Sequence, residues 1–284
     1  MMGHHNRARR RRFEDQVCVV TGAGAGIGRA TALQLARLGA RLHLVDLRIE
    51  RVESVRQEAH DRGCRDAVSH VLDCADPEAV QALADDVFQQ RGRVDLLYNG
   101  VGVIVAGPVE HLTLEQWRRA VDLNLWSVVY GIQAFVPRML EQPAGRHRAH
   151  VVNIASVAGL VGFPYCAAYS ATKAAVVGLS ESLTAELHRR GIGVTCVCPG
   201  MVRTNLMQDG SLELPGRFGQ QLRWFHDHLG PRPEPVAWAI LEAVRHDRPL
   251  IAPAPGFDGL WWIKRASAGM YNRLARQLMR LAPR

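Results

Sequence analysis

Apolar residues along this chain gather in short runs of strand length, separated by longer stretches with helical spacing. Gln16-Val17-Cys18-Val19-Val20 is a nearly unbroken apolar run bounded by turn residues, which reads as a short buried strand. After a glycine-rich turn, the segment 29–38 places Ala30, Leu33, Ala36 and Leu38 at helical intervals and stops at Gly39. A second run, Arg41-Leu42-His43-Leu44-Val45, ends at Asp46. The alternation continues, with strands expected near 17–21, 41–45, 67–72, 94–98, 150–154, 193–197 and 249–252 and helices between them. Strand–helix alternation of this kind predicts an α/β fold, doubly wound, with a mostly parallel seven-stranded sheet. Helices then cover both faces, and the ligand crevice lies at the carboxyl ends of the strands.

Length and composition fit one such domain. The 284 residues allow a large core, and no repeat or internal low-complexity linker marks a second unit. The segmentation expected is a basic tail at 1–13, a single α/β domain at 14–255 and a basic amphipathic extension at 256–284. The formal net charge of +8 is concentrated at the ends. Residues 1–12 carry five Arg and no acid, and residues 259–284 carry six basic residues and no acid, so the body between them holds 8 − 11 = −3. Two basic ends on a mildly acidic body argue against a nucleic-acid-binding surface. The cysteines at 18, 64, 74, 166, 196 and 198 are scattered without a ligand spacing or an accompanying His cluster, so buried thiols in a reducing cytosol are expected and no metal. The amino end has no apolar signal core, and the apolar stretch 157–179 contains a Tyr and a Lys that have a chemical reading, so neither a secretory leader nor a membrane span is predicted.

The first strand runs directly into Thr21-Gly22-Ala23-Gly24-Ala25-Gly26-Ile27-Gly28 and then into the first helix. Strand, glycine loop and helix in that order form the context of a Rossmann-type dinucleotide site, where glycines permit close backbone approach and the helix N-terminus faces a pyrophosphate. Asp46 lies 18 residues beyond Gly28, where a carboxylate can take the adenosine ribose hydroxyls.

A second signal comes from the cations. Of 35 basic residues, 33 are Arg, and only Lys173 and Lys264 are Lys. A chain this biased would replace a lysine needed merely for charge, so Lys173 marks a place where a compact ammonium is required. Tyr169 lies one helical turn before it, so the ammonium can sit near the phenol and lower its pKa. A phenol tuned towards neutrality is a general acid/base for a carbonyl/alcohol pair. Ser156 lies 13 residues upstream of Tyr169.

Taken together, these motifs resemble the classical short-chain dehydrogenase/reductase family over roughly residues 14–255. Thr21, Gly22, Gly26, Ile27 and Gly28 match its cofactor loop, and Ser156, Tyr169 and Lys173 its catalytic trio. Asn124 in Val121-Asp122-Leu123-Asn124 matches a fourth catalytic position, and Asp73 the acidic residue beside the adenine. Pro199-Gly200-Met201-Val202-Arg203-Thr204 matches the segment that closes over the nicotinamide. One departure stands out: the family usually shows Asn-Asn-Ala-Gly after its fourth strand, and this chain has Asn99-Gly100-Val101-Gly102. Asn99 is carried over as a cofactor-side position.

The resemblance implies that Lys173 holds the nicotinamide ribose and lowers the Tyr169 pKa. Tyr169 then exchanges a proton with the substrate oxygen, Ser156 orients that oxygen, and Asn124 positions a water. Asp46 favours NAD(H) over NADP(H), and Ala25, lacking the basic side chain often found there in NADP-preferring relatives, agrees; Arg48 argues the other way. The segment 205–231 is the expected substrate lid. Its Leu206, Met207, Leu212, Leu214, Phe218, Leu222, Trp224, Phe225 and Leu229 suit a bulky apolar small molecule such as a lipid, steroid or terpenoid. Two alternatives are an acyl-thioester (3-oxoacyl) reductase and a non-catalytic NAD-binding protein. The resemblance further implies a homodimer or homotetramer built through helices near 114–140 and 168–190. A cytoplasmic protein is expected. At its carboxyl end, Trp261-Trp262 and the Leu/Arg pattern after Tyr271 leave two readings: docking on the enzyme or a sister subunit, or peripheral membrane contact.

Overall fold

The computed structural model describes residues 12–143, 148–214, 216–253 and 257–281. The expected tail therefore falls almost wholly outside the described residues, as do the side chains of Phe218, Leu222, Phe225, Leu229, Leu278 and Leu281.

Seven strands form one sheet: β1 (Val17–Thr21), β2 (Arg41–Asp46), β3 (Ala67–Val71), β4 (Leu96–Asn99), β6 (Ala149–Ile154), β7 (Ile192–Val197) and β9 (Leu250–Ile251). Their order is β3-β2-β1-β4-β6-β7-β9, and every neighbouring pair is parallel. The chain reverses direction of travel across the sheet between β3 and β4, which leaves a crevice beyond the ends of β1 and β4.

Strand periodicity divides the core in two. On β1, Cys18 and Val20 join one apolar cluster while Val17 and Val19 join the other; on β4, Leu96 and Tyr98 face the first and Leu97 the second. The first cluster is closed by α1 (Gly26–Arg37), α2 (Ile49–Asp61) and α10 (Pro233–Arg245). The second is closed by α3 (Pro77–Arg91), α5 (Ser127–Glu141) and the end of α7 (Ala167–Leu187). Boundaries follow local chemistry. Asp76 caps α3 by accepting from Glu78 N at 2.9 Å, Pro77 opens it, and Gly92 ends it at φ 69°.

Two features escaped the periodicity. The helix α4 (Leu114–Val121), closed at its start by a Thr113/Gln116 capping box, widens into a π-helical turn at Asp122–Trp126 before α5. A small second sheet pairs β5 (Val105–Ala106) with β8 (Ser211–Leu212), tying the expected lid to the loop after β4. The lid also contains α8 (Leu206–Asp209) and α9 (Gly216–Leu229). After the short α6 (Val157–Leu160) and the main sheet, the chain finishes in α11 (Phe257–Ala266) and α12 (Ala268–Leu281).

Candidate active site

The end of β6 delivers Ser156, which caps α6 by accepting from Ala158 N at 3.1 Å. Tyr169 stands on the first turn of α7. Lys173 lies one turn further along the same helix face, and its Nζ donates to the Ile154 carbonyl at 2.9 Å. All three side chains are buried: 7% exposed at Ser156, 8% at Tyr169 and 3% at Lys173, and desolvation governs the ionisation of Tyr169 and Lys173. Burial pushes the Tyr169 phenol up to about 12, opposed by the Ser156 hydroxyl. It pushes the Lys173 ammonium down to about 8. In the chain by itself, burial sets the direction of the phenol's shift. The Lys173 Nζ stands 6.0 Å from the ring centroid and is engaged by a backbone carbonyl.

Asn124 sits at the centre of the π-helical turn and is fully buried. The extra residue in the turn aims its amide inward, where Nδ2 donates to Val103 O at 3.0 Å and Thr172 Oγ1 at 3.1 Å. Its Oδ1 accepts from Val103 N at 2.8 Å and keeps a second lone pair. A Cβ on Gly102 would lie 2.8 Å from that oxygen and 3.1 Å from Lys173 Nζ, so a side chain there would wedge between the two groups.

In the Asn99-Gly100-Val101-Gly102 segment, position 100 has no room for a side chain: a Cβ there would lie 2.2 Å from Cε1 of Tyr98 and 2.7 Å from the Thr21 carbonyl oxygen. The Thr21 hydroxyl accepts from Gly100 N at 3.0 Å and donates to Tyr98 O at 3.1 Å. The Asn99 side chain is buried: its amide donates to Asn153 Oδ1 at 2.9 Å, and Asn153 donates to Ser180 Oγ at 3.1 Å, a buried ladder across β4, β6 and α7.

The residues expected to hold a dinucleotide meet around the start of α1. Gly26 adopts φ 55°, and a Cβ there would lie 2.9 Å from Thr204 Cγ2, so the glycine loop and the Pro199–Thr204 segment touch only because this residue is glycine. The N-cap, Ala25, makes no side-chain capping bond and the first turn has no acid, leaving N–H groups for an anion. A cavity of about 310 Å³ opens there, lined by Gly24, Ala25, Gly26, Arg29, Arg51, Arg203 and Thr204 among others. Asp46, at the end of β2, accepts from Gly24 N and Arg48 N, each at 3.0 Å. Asp73 is exposed just beyond the adjacent β3. Pro199 O accepts from Val157 N at 3.0 Å and joins this segment to α6. Anion-binding N–H groups, a cationic cavity and a carboxylate at the strand end are the donor set a nicotinamide dinucleotide requires.

Asp209, His226, Ile104 and Phe163 carried no sequence signal, whereas the lid leucines and Met207 did. Asp209 on the lid reaches the start of α2, where Arg51 Nη1 meets Oδ2 at 2.8 Å and Arg48 Nη2 meets Oδ1 at 3.2 Å. His226 of α9 is buried and takes Thr204 N at 3.3 Å. From the lid, Leu206, Met207, Leu212 and Leu214 pack with Ile104 and Phe163 around Tyr169. These partners are 22 to 161 residues apart, beyond the reach of any local pattern. All six cysteines are free, and no group of side chains able to hold a metal occurs among the described residues.

Comparison with known proteins places this geometry. Residues 16–213 match the family model described as short chain dehydrogenase. The chain is 36% identical over 238 residues to 1-deoxy-11-beta-hydroxypentalenate dehydrogenase of Streptomyces exfoliatus, covering 83% of this chain and 82% of that protein. It is 35% identical over 260 residues to the probable oxidoreductase EphD of Mycobacterium tuberculosis, covering 89% of this chain but 43% of the relative, so it spans less than half of that protein's length. A short chain dehydrogenase/reductase from Burkholderia phymatum, solved in complex with NAD, superposes with a TM-score of 0.82 at 30% identity over 89% of this chain and 94% of the other. The match to the family model over residues 16–213 and the parallel seven-stranded fold lead to one conclusion: the chain belongs to the short chain dehydrogenase family.

Proposed function

We propose that residues 14–255 form an NAD(H)-dependent dehydrogenase/reductase acting on a secondary alcohol/ketone or an aldehyde with a bulky apolar body, and that 256–284 is an extension of that unit. The observation that carries the reading is the buried Tyr169 side chain, surrounded by the apolar cluster that the lid completes. When bound, the nicotinamide supplies or accepts the hydride. Tyr169 passes a proton to, or takes one from, the substrate oxygen, and Ser156 donates a hydrogen bond that fixes that oxygen. Lys173 has further N–H groups that would hold the nicotinamide ribose, and Asn124 holds the turn of α7 that carries it. Gly24, Gly26 and Thr204, which line the cavity at the start of α1, would hold the pyrophosphate, with Thr21 and Gly22 supporting the loop. Water is excluded by Leu206, Met207 and Leu212.

Asp46 supports NAD(H), because its carboxylate would face a 2′-phosphate. Arg48 and Arg51, the cations nearest to it, are committed to Asp209, which weakens the case for NADP(H). Exposed Leu114 and Trp126 on α4 and the π-helical turn support a homo-oligomer through that face. The absorbance change at 340 nm, measured with NAD and NADP against steroid, terpenoid and long-chain alcohols, tests the proposal. NAD-linked turnover that disappears in Tyr169→Phe is expected. Tight NADH binding without turnover across the panel would favour a binding protein instead.

A further inference from the structure

Lys264, the second lysine in an otherwise arginine-only chain, lies far from the crevice in sequence but not in space. Its Nζ donates to the carbonyl of Leu160, the last residue of α6, at 2.6 Å. The carbonyls at a helix C-terminus lack intrahelical partners, and a cation there both satisfies one and opposes the negative end of the backbone dipoles. The hydroxyl of Tyr271 on α12 donates to the carbonyl of Gly162, two residues further on. Tyr271 is buried, while its neighbours Met270, Asn272 and Arg273 are exposed. Lys264 Nζ stands 5.9 Å from the Tyr271 ring centroid, so the two side chains act as one clamp. Trp261 adds apolar contact to the cluster that contains Leu160.

The clamped segment is joined to the candidate catalytic groups on three sides. Ser156 is the N-cap of α6, and Val157 N holds Pro199 O beside the cofactor segment. A Cβ on Gly159 would lie 2.5 Å from the Lys173 carbonyl oxygen, so α6 rests directly on the turn of α7 that carries Lys173. Beyond α6, Phe163 and Cys166 pack against Tyr169 as one wall of the apolar cluster. A four-residue helix has too few hydrogen bonds to hold this position alone.

We propose that Lys264 and Tyr271 are positioning residues: α11 and α12 strap α6 onto α7 and thereby set the placement of Ser156 and of the Phe163 wall relative to Tyr169. The role in turnover rests on the oxidoreductase reading above. The test compares the full chain with Lys264→Met, Tyr271→Phe and the double variant. Hydrogen exchange by mass spectrometry is read across 157–166, alongside kcat, KM and the NADH Kd. About tenfold faster exchange confined to 157–166 is expected, because each lost bond frees a segment with few others. About a tenfold fall in kcat, with NADH Kd within about twofold of the native value, should accompany it. Unchanged exchange at 157–166 would overturn the strap. Faster exchange throughout the sheet, or a loss of NADH affinity in step with kcat, would also overturn it by making the residues generally structural. If the native chain turns over no substrate, the oxidoreductase reading fails, while the exchange measurement still decides whether the extension holds α6.

Discussion

Burial moves the pKa values of Tyr169 and Lys173 in opposite directions, the phenol up and the ammonium down, because each group's neutral form is favoured away from water. Replacing Tyr169 with Phe removes the proton donor and acceptor but leaves the ring, so kcat is expected to fall by about 10²–10⁴-fold with NADH still bound. Lys173, held down to about 8, releases its proton in the folded chain before the unfolded chain does. The unfolded state then carries more protons between about pH 8 and the ordinary lysine value of 10.5, so this residue makes stability rise with pH across that window. Urea titrations at pH 8 and 9.5, native against Lys173→Met, check it; an equal change in both chains would contradict it. Asp46→Ser should lower the preference for NADH over NADPH by about tenfold or more, the loss of about 1.4 kcal/mol of discrimination, read by fluorescence titration. Gly100→Asn, which restores the family's usual residue, meets the Tyr98 ring and should cost about 1–3 kcal/mol. The double variant with Tyr98→Val should recover part of that in thermal denaturation.

At the scale of elements, the lid is held by one small sheet, the Asp209 ion pairs and His226. Asp209 is 30% exposed and Arg51 26%, so solvent screens their attraction, and a partly exposed pair contributes about 0.3–1 kcal/mol. Asp209→Asn should therefore speed proteolytic cleavage within 204–214 by about 2- to 5-fold, without moving the thermal midpoint of the sheet. The carboxyl extension follows the docking reading in its Lys264 and Tyr271 contacts, whereas Trp262 and Met270 remain 60% and 51% exposed. Legibility varied between these elements. Strands such as 17–21 were readable because both faces are apolar, and α1 because Gly39 ends it. The sheet of β5 and β8 has two residues per strand, too few to carry a period. The π-helical turn reads as ordinary helix, since one inserted residue leaves composition unchanged.

Across the whole molecule, stability at low pH should be set by histidines far from the crevice. His43 and His150 are buried on the sheet, and burial pushes their pKa values down to about 4 and about 3, with His70 and Arg91 adding to the effect at His43 and Arg12 and Arg148 at His150. Unfolding lets both take up protons below pH 6.5, so stability is lost as pH falls from 6.5 towards 4. The urea midpoint should decline over that range, and a flat profile would contradict it. Among the described residues, no helix is long and apolar enough to cross a membrane. The sequence by itself determined the parallel α/β architecture, the glycine loop after β1, and the identities of Ser156, Tyr169 and Lys173. These depend on local periodicity and on side-chain chemistry within a few turns of chain. Tertiary structure alone decided that burial raises the Tyr169 pKa, that Asn99 serves the sheet, that Asp209 spans to Arg51, and that Lys264 holds α6. Each of those outcomes depends on groups far apart along the chain, and only folding sets their distance and the water between them.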